Sequence, residues 1–499
     1  MAKLRILIFA VMILAGLVVS EEAPVSEESQ TCLECHATLH PGIVGGWKMS
    51  RHSRITTGQA LANKGIGLRI SSQSVPTDLK SVAVGCAECH SLRPKSHKDT
   101  FEHNGYRIHV VVSPRDCATC HAQEVNQFSR NLMAHAYGNL LDNNVYRQLI
   151  RSINHAARWE HGRLTEATSD RLTGEESCLY CHGTELKLKR MAVRDTEYGE
   201  MNFPVIEGWP NGGTGRINLD GSLGSCASCH HRHRFSIESA RKPHTCKKCH
   251  EGPDVPAYKV YQTSKHGNIY SAHRHTWDFK SVPWRIGRDF TAPTCAACHM
   301  SLLVNGDGEI VVNRTHEVKD RLSYRILGLI YAHPHPRNAD TSIIRNQNEL
   351  PLPTGFSGDL AESFLLNSSE QERNRRTMQK SCLACHDGSW VDGHWKRLNN
   401  TITQTNLNVL AATRIMQEIW KEGLAHGLRL NASPFDEYIE KKWIAGWLFF
   451  ANSIRFASAM AGGGDFGVFA NGRYQLAENL KELLEWLRVK RMLRDSVSR

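Results

Sequence analysis

The sequence predicts a mainly α-helical protein with few short strands, in which a long cysteine- and histidine-rich region precedes three long helices. Two observations lead to this prediction. All 16 cysteines lie between positions 32 and 385, where glycine is frequent and helical periodicity is weak. After about Leu407 the cysteines stop, and apolar residues recur at the spacing of amphipathic helices.

Every cysteine belongs to a copy of the motif Cys-x-x-Cys-His, which attaches c-type haem. Each thiol adds to a haem vinyl group, and the adjacent histidine becomes an axial ligand of the iron. Zinc sites do not need a histidine directly after every second cysteine, and disulfide frameworks do not fix a two-residue gap. The sequence therefore predicts a multihaem cytochrome c that carries eight c-type haems. The motifs are Cys32, Cys35 and His36; Cys86, Cys89 and His90; Cys117, Cys120 and His121; Cys178, Cys181 and His182; Cys226, Cys229 and His230; Cys246, Cys249 and His250; Cys295, Cys298 and His299; and Cys382, Cys385 and His386.

The formal net charge of +11 does not indicate nucleic-acid binding. Basic residues are scattered, and no module that interleaves basic and aromatic residues is present. Haem propionates add negative charge that the sequence count misses, so we interpret the basic balance as internal compensation.

Residues 1–20 are typical of a secretory signal peptide. Lys3 and Arg5 precede an apolar stretch at 6–19, and Val18 and Ser20 are small enough for cleavage near Ser20. An uncleaved membrane anchor is the alternative, although the apolar stretch is shorter than the ~20 residues of a membrane span. We expect export to the periplasm or an equivalent extracytoplasmic compartment, without stable membrane insertion.

Residues 21–406 are predicted to form the haem-binding domain, built from short helices and loops held by the cofactors. β-Branched residues predict extended pieces at 107–112 and 309–312. The fifth and sixth motifs are close in sequence, so their haems should be near neighbours.

Residues 407–499 are predicted to form a C-terminal helical domain. Its helices are expected at 407–424, from Ser433 and Pro434 to about Met460, and at 474–492. The glycines at 462–464 end the second helix. From the pattern alone, these helices pack against the haem domain or against another subunit, and ordinary tertiary packing is favoured.

A haem with two histidine ligands only transfers electrons, whereas a haem with one has an open face for substrate. The motifs use 8 of the 27 histidines, which leaves 19 for the distal positions. Small neighbours favour His266 and His135, and a surface or core position is the alternative for each candidate. Counting does not identify the open haem. The candidate distal ligands are His52, His103, His109, His135, His233, His266, His316 and His394.

Several short strings surround the motifs: Pro41-Gly42-Ile43-Val44, His103-Asn104-Gly105, Gly252-Pro253-Asp254, Ser264-Lys265-His266-Gly267, Thr291-Ala292-Pro293-Thr294 and Arg455-Phe456-Ala457. Together with the order and spacing of the motifs, they make the chain resemble the octahaem hydroxylamine oxidoreductase (hydroxylamine dehydrogenase) family over nearly all of its length. The resemblance implies seven bis-histidine haems and one five-coordinate catalytic haem at Cys178, Cys181 and His182. It also implies a homotrimer whose C-terminal helices reach a neighbouring subunit, which overrides the simpler packing interpretation.

The chain departs from the family pattern at the catalytic haem. Oxidative members cross-link a tyrosine of one subunit to the catalytic haem of the next. The matching string here begins Asp465-Phe466, and Phe466 has no phenol oxygen, while Tyr474 aligns with a different aromatic position. The chain therefore resembles the reductive members that lack the cross-link.

The expected distal pocket also differs. A histidine that usually follows the pocket aspartate is replaced by Val255, and a tyrosine before the seventh motif is replaced by Phe290. Asp254 remains as the main acid–base candidate, with Asp289 as a second. The alternative is that Asp254 only caps a turn or pairs with an arginine.

These observations predict a nitrite reductase that forms nitric oxide, supplied with electrons by a small cytochrome or a quinol-linked complex. The alternatives are reduction of nitrite to hydroxylamine or ammonium, oxidation of hydroxylamine or hydrazine, and a non-enzymatic electron-transfer cytochrome.

Overall fold

The protein is represented by a computed structural model that describes residues 23–427 and 433–497. The predicted signal peptide and its membrane-anchor alternative lie outside the described residues. Within the described ranges, none of the helices combines the length and apolar character needed to cross a membrane.

Helices dominate the regular structure, as predicted. They are α1 (Glu27–Leu39), α2 (Pro41–Lys48), α3 (Thr57–Leu61), α4 (Thr77–Lys80), α5 (Ala87–His90), α6 (Pro114–Cys117), α7 (Ala122–Ser129), α8 (Ala136–Leu141), α9 (Asn144–Asn154), α10 (Arg171–Glu176), α11 (Cys178–His182), α12 (Ala227–His230), α13 (Ile237–Arg241), α14 (Pro243–Lys247), α15 (Ala257–Thr263), α16 (Lys265–His273), α17 (Cys295–His299), α18 (Ser368–Leu383), α19 (Gly388–Lys421), α20 (Tyr438–Ile444), α21 (Ala451–Ala459) and α22 (Arg473–Val497).

Strands are short and occur mostly as isolated hairpins. They are β1 (Phe101–His103), β2 (Tyr106–Ile108), β3 (Ala156–Glu160), β4 (Arg163–Ala167), β5 (Lys187–Thr196), β6 (Gly199–Glu207), β7 (Trp284–Arg285), β8 (Leu303–Val304), β9 (Ile310–Val312), β10 (Tyr324–Arg325) and β11 (His333–Pro334). The pairs β1–β2, β3–β4, β5–β6 and β10–β11 are antiparallel. Strand β8 joins parallel β7 and antiparallel β9.

The predicted extended piece at 309–312 is confirmed by β9, whereas only Arg107 and Ile108 of the piece predicted at 107–112 lie in a strand, β2. The hairpins β3–β4 and β5–β6 were not predicted. All residues of β3 and β4 are exposed, and most of β5 is too. Neither face of β3–β4 is buried, so burial imposes no alternation of apolar and polar residues there. In β6, Met201, Phe203 and Val205 do alternate and are half-buried, and this signal was overlooked.

The C-terminal helices begin earlier than predicted. Helix α19 starts after the eighth motif, where the Asp387 carboxylate accepts a hydrogen bond from the Trp390 backbone N–H at 3.0 Å. It therefore runs through the predicted domain boundary at 406–407. The predicted second helix is α20 and α21, joined by a π-helical segment (Ala445–Phe450), and the third is α22. A second π-helical segment (Phe466–Ala470) precedes α22.

These helices close around one apolar core. Met416 and Ile419 of α19, Trp443 of α20 and Leu483 of α22 are fully buried there. The core also takes in Tyr331 from the haem-dense region, so the two predicted domains share it.

Candidate haem sites and catalytic pocket

The haem-attachment motifs lie on single helical turns. In an α-helix, residues at i, i+3 and i+4 project from the same side, so this motif places both thiols and the imidazole on one face. The backbone shows the turn directly: the N–H of His90 donates to the Cys86 carbonyl at 2.8 Å, and the N–H of His386 donates to the Cys382 carbonyl at 2.9 Å. Helices α5, α11, α12 and α17 end at their motif histidine.

A single cavity of about 3280 Å³ runs through the protein and is lined by residues from the second to the eighth motif. All 16 cysteines are free thiols, and none forms a disulfide. Paired thiols and an imidazole that face one large interior space fit covalently bound haem. Several buried imidazole nitrogens along it, such as Nδ1 of His299 and Nδ1 of His316, have no hydrogen-bond partner among the described residues.

The spacing of histidine rings gives a second test of this fit. Two imidazoles that bind one iron from opposite sides have ring centres about 6 Å apart, because a metal–nitrogen bond is about 2 Å and each ring centre lies about 1 Å further out. Five motif histidines face a second histidine at this spacing. The pairs are His36 and His103 at 6.0 Å, His90 and His109 at 6.1 Å, His121 and His52 at 6.3 Å, His230 and His316 at 6.4 Å, and His386 and His266 at 6.1 Å.

The other three candidate distal ligands lie differently. The Nε2 of His135 is 2.8 Å from the Ser129 carbonyl. His233 does not line the cavity. His394 lines it, but the Trp390 indole stacks between His394 and His386, with ring centres 5.5 Å and 4.1 Å away. None of the three is paired with a motif histidine as the other five are.

Sequence reasoning missed His333 and His335. Burial lowers the pKa of His333 to about 3 and that of His335 to about 4, so both are neutral at pH 7. Each donates its Nδ1 proton to a following proline carbonyl, at 2.7 Å and 3.1 Å. Metal-bound imidazoles use this arrangement because it leaves Nε2 free for the metal. The string His-Pro-His-Pro at 333–336 was the available signal.

Contacts between thiols show which haem sites are neighbours. The Cys32 and Cys86 thiols are close enough for their interaction to lower the pKa of Cys32 to about 7. Similar contacts join three further pairs: Cys117 to Cys226, Cys181 to Cys249, and Cys246 to Cys295. Once haem is attached these sulfurs are thioethers, which do not titrate. The contacts are informative because they indicate that the attached haems lie close together. The sixth motif therefore lies between the fourth and the seventh.

The predicted closeness of the fifth and sixth motifs is confirmed. Burial and the neighbouring Cys246 thiol raise the pKa of Cys229 to about 12. Cys229 belongs to the fifth motif and Cys246 to the sixth, so this charge interaction indicates that the two sites are near each other. Together these contacts connect the third motif, through the fifth and sixth, to the fourth.

His182 of the fourth motif is held in a fixed orientation. Its Nδ1 donates to the Ala136 carbonyl at 3.0 Å, which directs Nε2 away from that carbonyl. Burial lowers the pKa of His182, the Ala136 carbonyl and the Asp254 carboxylate oppose this, and the Arg325 guanidinium adds to it. Two opposite charges therefore lie near this imidazole. No second histidine ring among the described residues has the paired spacing with His182, and the same holds for His250 and His299.

Asp254 lines the cavity, and its loop is held from the C-terminal helices. The Asn452 side-chain amide of α21 donates to the Asp254 carbonyl at 3.0 Å and to the Leu448 carbonyl at 2.8 Å. Asn452 also accepts a hydrogen bond from the fully buried Arg455 at 3.1 Å. Asn452 and Arg455 therefore hold the pocket loop in place.

Asp289, the second predicted acid, lies elsewhere. It is buried and does not line the cavity. Its carboxylate accepts hydrogen bonds from the Arg285 backbone N–H at 2.8 Å and from Arg288 Nε at 2.7 Å. This pairing gives Asp289 a structural role and leaves it no direct access to a ligand in the cavity.

The structure also places the aromatic residues at which the chain departs from the family pattern. Phe290 is buried against Trp284, with ring centres 4.1 Å apart, and it lines the cavity. Phe466 is half-buried in the π-helical segment before α22, and Tyr474 is exposed at the start of that helix.

Arg325 is a further residue that sequence reasoning missed. It lines the cavity, and strand pairing places it directly opposite His333. It forms no ion pair among residues 23–427 and 433–497. No motif surrounds it, so nothing in the sequence distinguished it from the other arginines.

Two family models match parts of the chain. Residues 220–319 match the model described as seven times multi-haem cytochrome CxxCH, and residues 116–202 match that of cytochrome c554 and c-prime. Among curated proteins, the chain is 24% identical over 398 residues to a probable nitrite reductase-hydroxylamine oxidoreductase fusion protein of Kuenenia stuttgartiensis. That alignment covers 74% of this chain and 36% of the relative, so the chain spans about a third of the relative's length.

Two solved structures are similar in fold. One, described as a hypothetical multiheme protein, is 38% identical with a TM-score of 0.89, covering 96% of this chain and 98% of that one. The other belongs to the reducing HAO-like protein complex of Kuenenia stuttgartiensis. It is 19% identical with a TM-score of 0.61 and covers 95% of this chain and 87% of that one. At that identity the second structure supports the fold alone.

Proposed function

The chain belongs to the multihaem cytochromes similar to hydroxylamine oxidoreductase, and from this premise we propose that it is a nitrite reductase that forms nitric oxide at the haem of Cys178, Cys181 and His182. The observation that carries the proposal is the surroundings of His182. It faces no second imidazole, while an acid, Asp254, and a cation, Arg325, lie beside it. Among the described residues, His250 and His299 also face no second imidazole at the paired spacing. The Asp254 charge acts on His250 too, and Arg321 acts on His299, so it is the combination of Asp254 with Arg325 that distinguishes His182.

When bound, this haem supplies an iron with an open face and a route for electrons. The reaction consumes nitrite, one electron and two protons, and it releases nitric oxide and water. In the proposal, Arg325 holds the nitrite anion by charge, and Asp254 delivers protons to the oxygen that leaves as water. The buried Phe290 ring forms an apolar part of the cavity wall.

Phe466 supports the reductive direction. A phenylalanine has no oxygen with which to bond a haem, so the cross-link that tunes oxidative relatives is not available at this position. Denaturing mass analysis should therefore give a monomer with ordinary haems. A haem-linked covalent oligomer would contradict this and would direct attention to Tyr474.

The remaining parts of the proposal concern assembly and location. We propose eight c-type haems, one for each motif, with export to the periplasm or an equivalent compartment. We also propose a homotrimer. Exposed apolar residues on and before α22 support an interface there: Phe469, Tyr474, Met492 and Leu493.

Ligand binding tests the proposal against a saturated electron carrier. Cyanide or nitric oxide should shift the visible spectrum of a single haem in the reduced protein. Anaerobic turnover with a reduced dye should then consume nitrite and release nitric oxide. A protein whose spectrum does not respond is an electron carrier, and a product of hydroxylamine or ammonium assigns the longer reduction instead.

A further inference from the structure

The first haem motif differs from the others in its position. Residues of the second to eighth motifs line the large cavity, but Cys32, Cys35 and His36 do not. They lie on α1, and Leu39 of α1 and Ile43 of α2 are exposed beside them. The first haem site is therefore at the protein surface. The Cys32–Cys86 contact joins it to the second motif, so it forms one end of the haem series.

The β5–β6 hairpin contacts this site on both sides. Tyr198, in the turn of the hairpin, is close enough to Cys35 for that thiol to raise the pKa of the tyrosine hydroxyl. Phe203 of β6 lies 6.3 Å from His103, the histidine that faces His36. A two-stranded hairpin is marginally stable by itself, so its contacts with the first haem site are what position its turn.

The turn of this hairpin is acidic. Asp195, Glu197 and Glu200 are all exposed, and none forms an ion pair within residues 23–427 and 433–497. Asp195 and Glu200 are direct partners in the strand register. Like charges directly opposite each other destabilise a hairpin, so stability does not explain this placement.

Helix α1 extends the acidic surface. Its exposed Glu27, Glu28 and Glu34 also lack ion-pair partners within the described ranges, while the chain as a whole carries a formal charge of +11. On the same hairpin the exposed Arg190 and Arg194 add positive charge, and Arg194 lies 5.4 Å from the centre of the Phe203 ring. The six carboxylates of the turn and of α1 outnumber these two cations, so this surface is net negative although the chain as a whole is basic.

We propose that the β5–β6 turn and the exposed face of α1 form the docking surface for a redox protein with a basic face, which exchanges electrons with the haem of the first motif. One electron passes between the partner's redox centre and this haem, so that one is oxidised as the other is reduced. The inference rests on the proposed function only for the direction of electron flow, which is from the partner into this protein.

The eighth motif offers the competing entry. Cys385 and Leu383 are exposed there, but α18 carries the exposed cations Arg373, Arg376 and Lys380. That surface would attract an acidic partner. A basic partner should therefore dock at the first motif, and an acidic partner at the eighth. Reversing the surface charges at the first motif should slow electron transfer to a basic partner, whereas reversing those at the eighth should not.

The test uses the holoprotein, reduced with a dye, and an oxidised lysine-rich mono-haem cytochrome c as the probe. Stopped-flow absorbance at low ionic strength follows reduction of the probe. The triple variant Asp195→Lys, Glu197→Lys and Glu200→Lys should slow this step by roughly tenfold or more, because surface charges act mainly on the association rate. The matched variant Arg373→Glu, Arg376→Glu and Lys380→Glu should not slow it.

Added salt should slow the wild-type protein and have little effect on the first variant. An unchanged rate in that variant, or a larger loss in the α18 variant, would overturn the proposal. The assay contains no nitrite, so it reports docking even if the proposed reaction is wrong. Dye-driven nitrite consumption, which bypasses docking, should be equal in both variants and the wild type.

Discussion

The C-terminal helices and the haem-dense region are built from different kinds of interior. In α19 to α22, Trp443, Trp447 and Met416 pack into one continuous apolar core. In the haem-dense region, apart from a cluster around Trp284, the apolar clusters are small, such as those around Val75 and Val111. There the cavity of about 3280 Å³ takes the place of a side-chain core. The comparison indicates that side chains stabilise one region and covalently bound cofactors stabilise the other.

Removing one haem should have the largest effect and should separate the two regions. With Cys226→Ala and Cys229→Ala, amide hydrogen exchange should become fast around α12 to α14, because the apolar surface that the haem covers is lost. Protection of α19, α20 and α22 should persist in the same sample. Equal loss of protection in both regions would contradict the comparison.

Truncating the core should affect the other region first. Trp443 is fully buried, and its Nε1 donates to Thr413 Oγ1 at 3.1 Å. Trp443→Ala should lower the free energy of unfolding by about 3–5 kcal/mol, as measured by urea titration, with the haem absorption spectrum unchanged below the transition. Trp159→Ala, at a side chain 72% exposed on β3, is the control and should cost little.

The C-terminal helices were predicted better than the haem-dense region because the two regions have different kinds of interior. Side-chain cores leave a periodic pattern, and α22 was predicted almost to its ends. The first half of α19 was missed although Val391, Trp395, Leu398 and Ile402 recur at helical spacing and are buried; the prediction began this helix only at Leu407. Hairpin β3–β4 was missed because it is exposed on both faces, and β5–β6 was missed although Met201, Phe203 and Val205 alternate along β6.

The candidate site shows the same division. Covalent attachment of c-type haem requires a fixed motif, so the sequence predicts an attachment site at each of the eight motifs. Distal ligands need no motif, and the distal-ligand assignments stay predictions. The candidates included His135, His233 and His394, which the structure leaves unpaired, and did not include the buried His333 and His335. Arg325 reaches the cavity only through the pairing of β10 with β11.

Asp254 lies in the haem-dense region, and its loop is held by Asn452 of the C-terminal helices. Asp254→Asn should slow nitrite turnover roughly a hundredfold, the usual effect of losing a general acid, with the haem spectra unchanged. Asp289→Asn is the control, since Asp289 does not line the cavity. Equal slowing in both variants would remove Asp254 from the proton path. Asn452→Ala should give a smaller loss, because Asn452 only holds the loop through the Asp254 carbonyl.

The smallest expected effect is a change of stability with pH, and it should be confined to the C-terminal core. Glu440 is buried, and its carboxylate accepts hydrogen bonds from Trp420 Nε1 at 2.7 Å and the Gly427 N–H at 3.1 Å. Burial raises the pKa of Glu440 to about 7. The folded state thus holds this proton more tightly than the unfolded chain, whose glutamate has a pKa of about 4.3.

Stability should therefore fall as pH rises from about 4.3 to about 7, by on the order of 1 kcal/mol. Glu440→Gln should flatten this part of the profile in urea titrations at several pH values. Glu482→Gln, at an exposed carboxylate, should leave it intact. If the slope persists in Glu440→Gln, another group titrates in this range.

The direction of catalysis decides between a reductase and an oxidase. Purified holoprotein is assayed anaerobically for nitrite consumption with a reduced dye, and in parallel for electron release from hydroxylamine or hydrazine to an oxidised cytochrome. We expect steady nitrite consumption with nitric oxide as the product and negligible oxidation of either reduced substrate, because Phe466 cannot form the cross-link. Hydroxylamine oxidation at a rate comparable to nitrite reduction would contradict the assignment of a reductase.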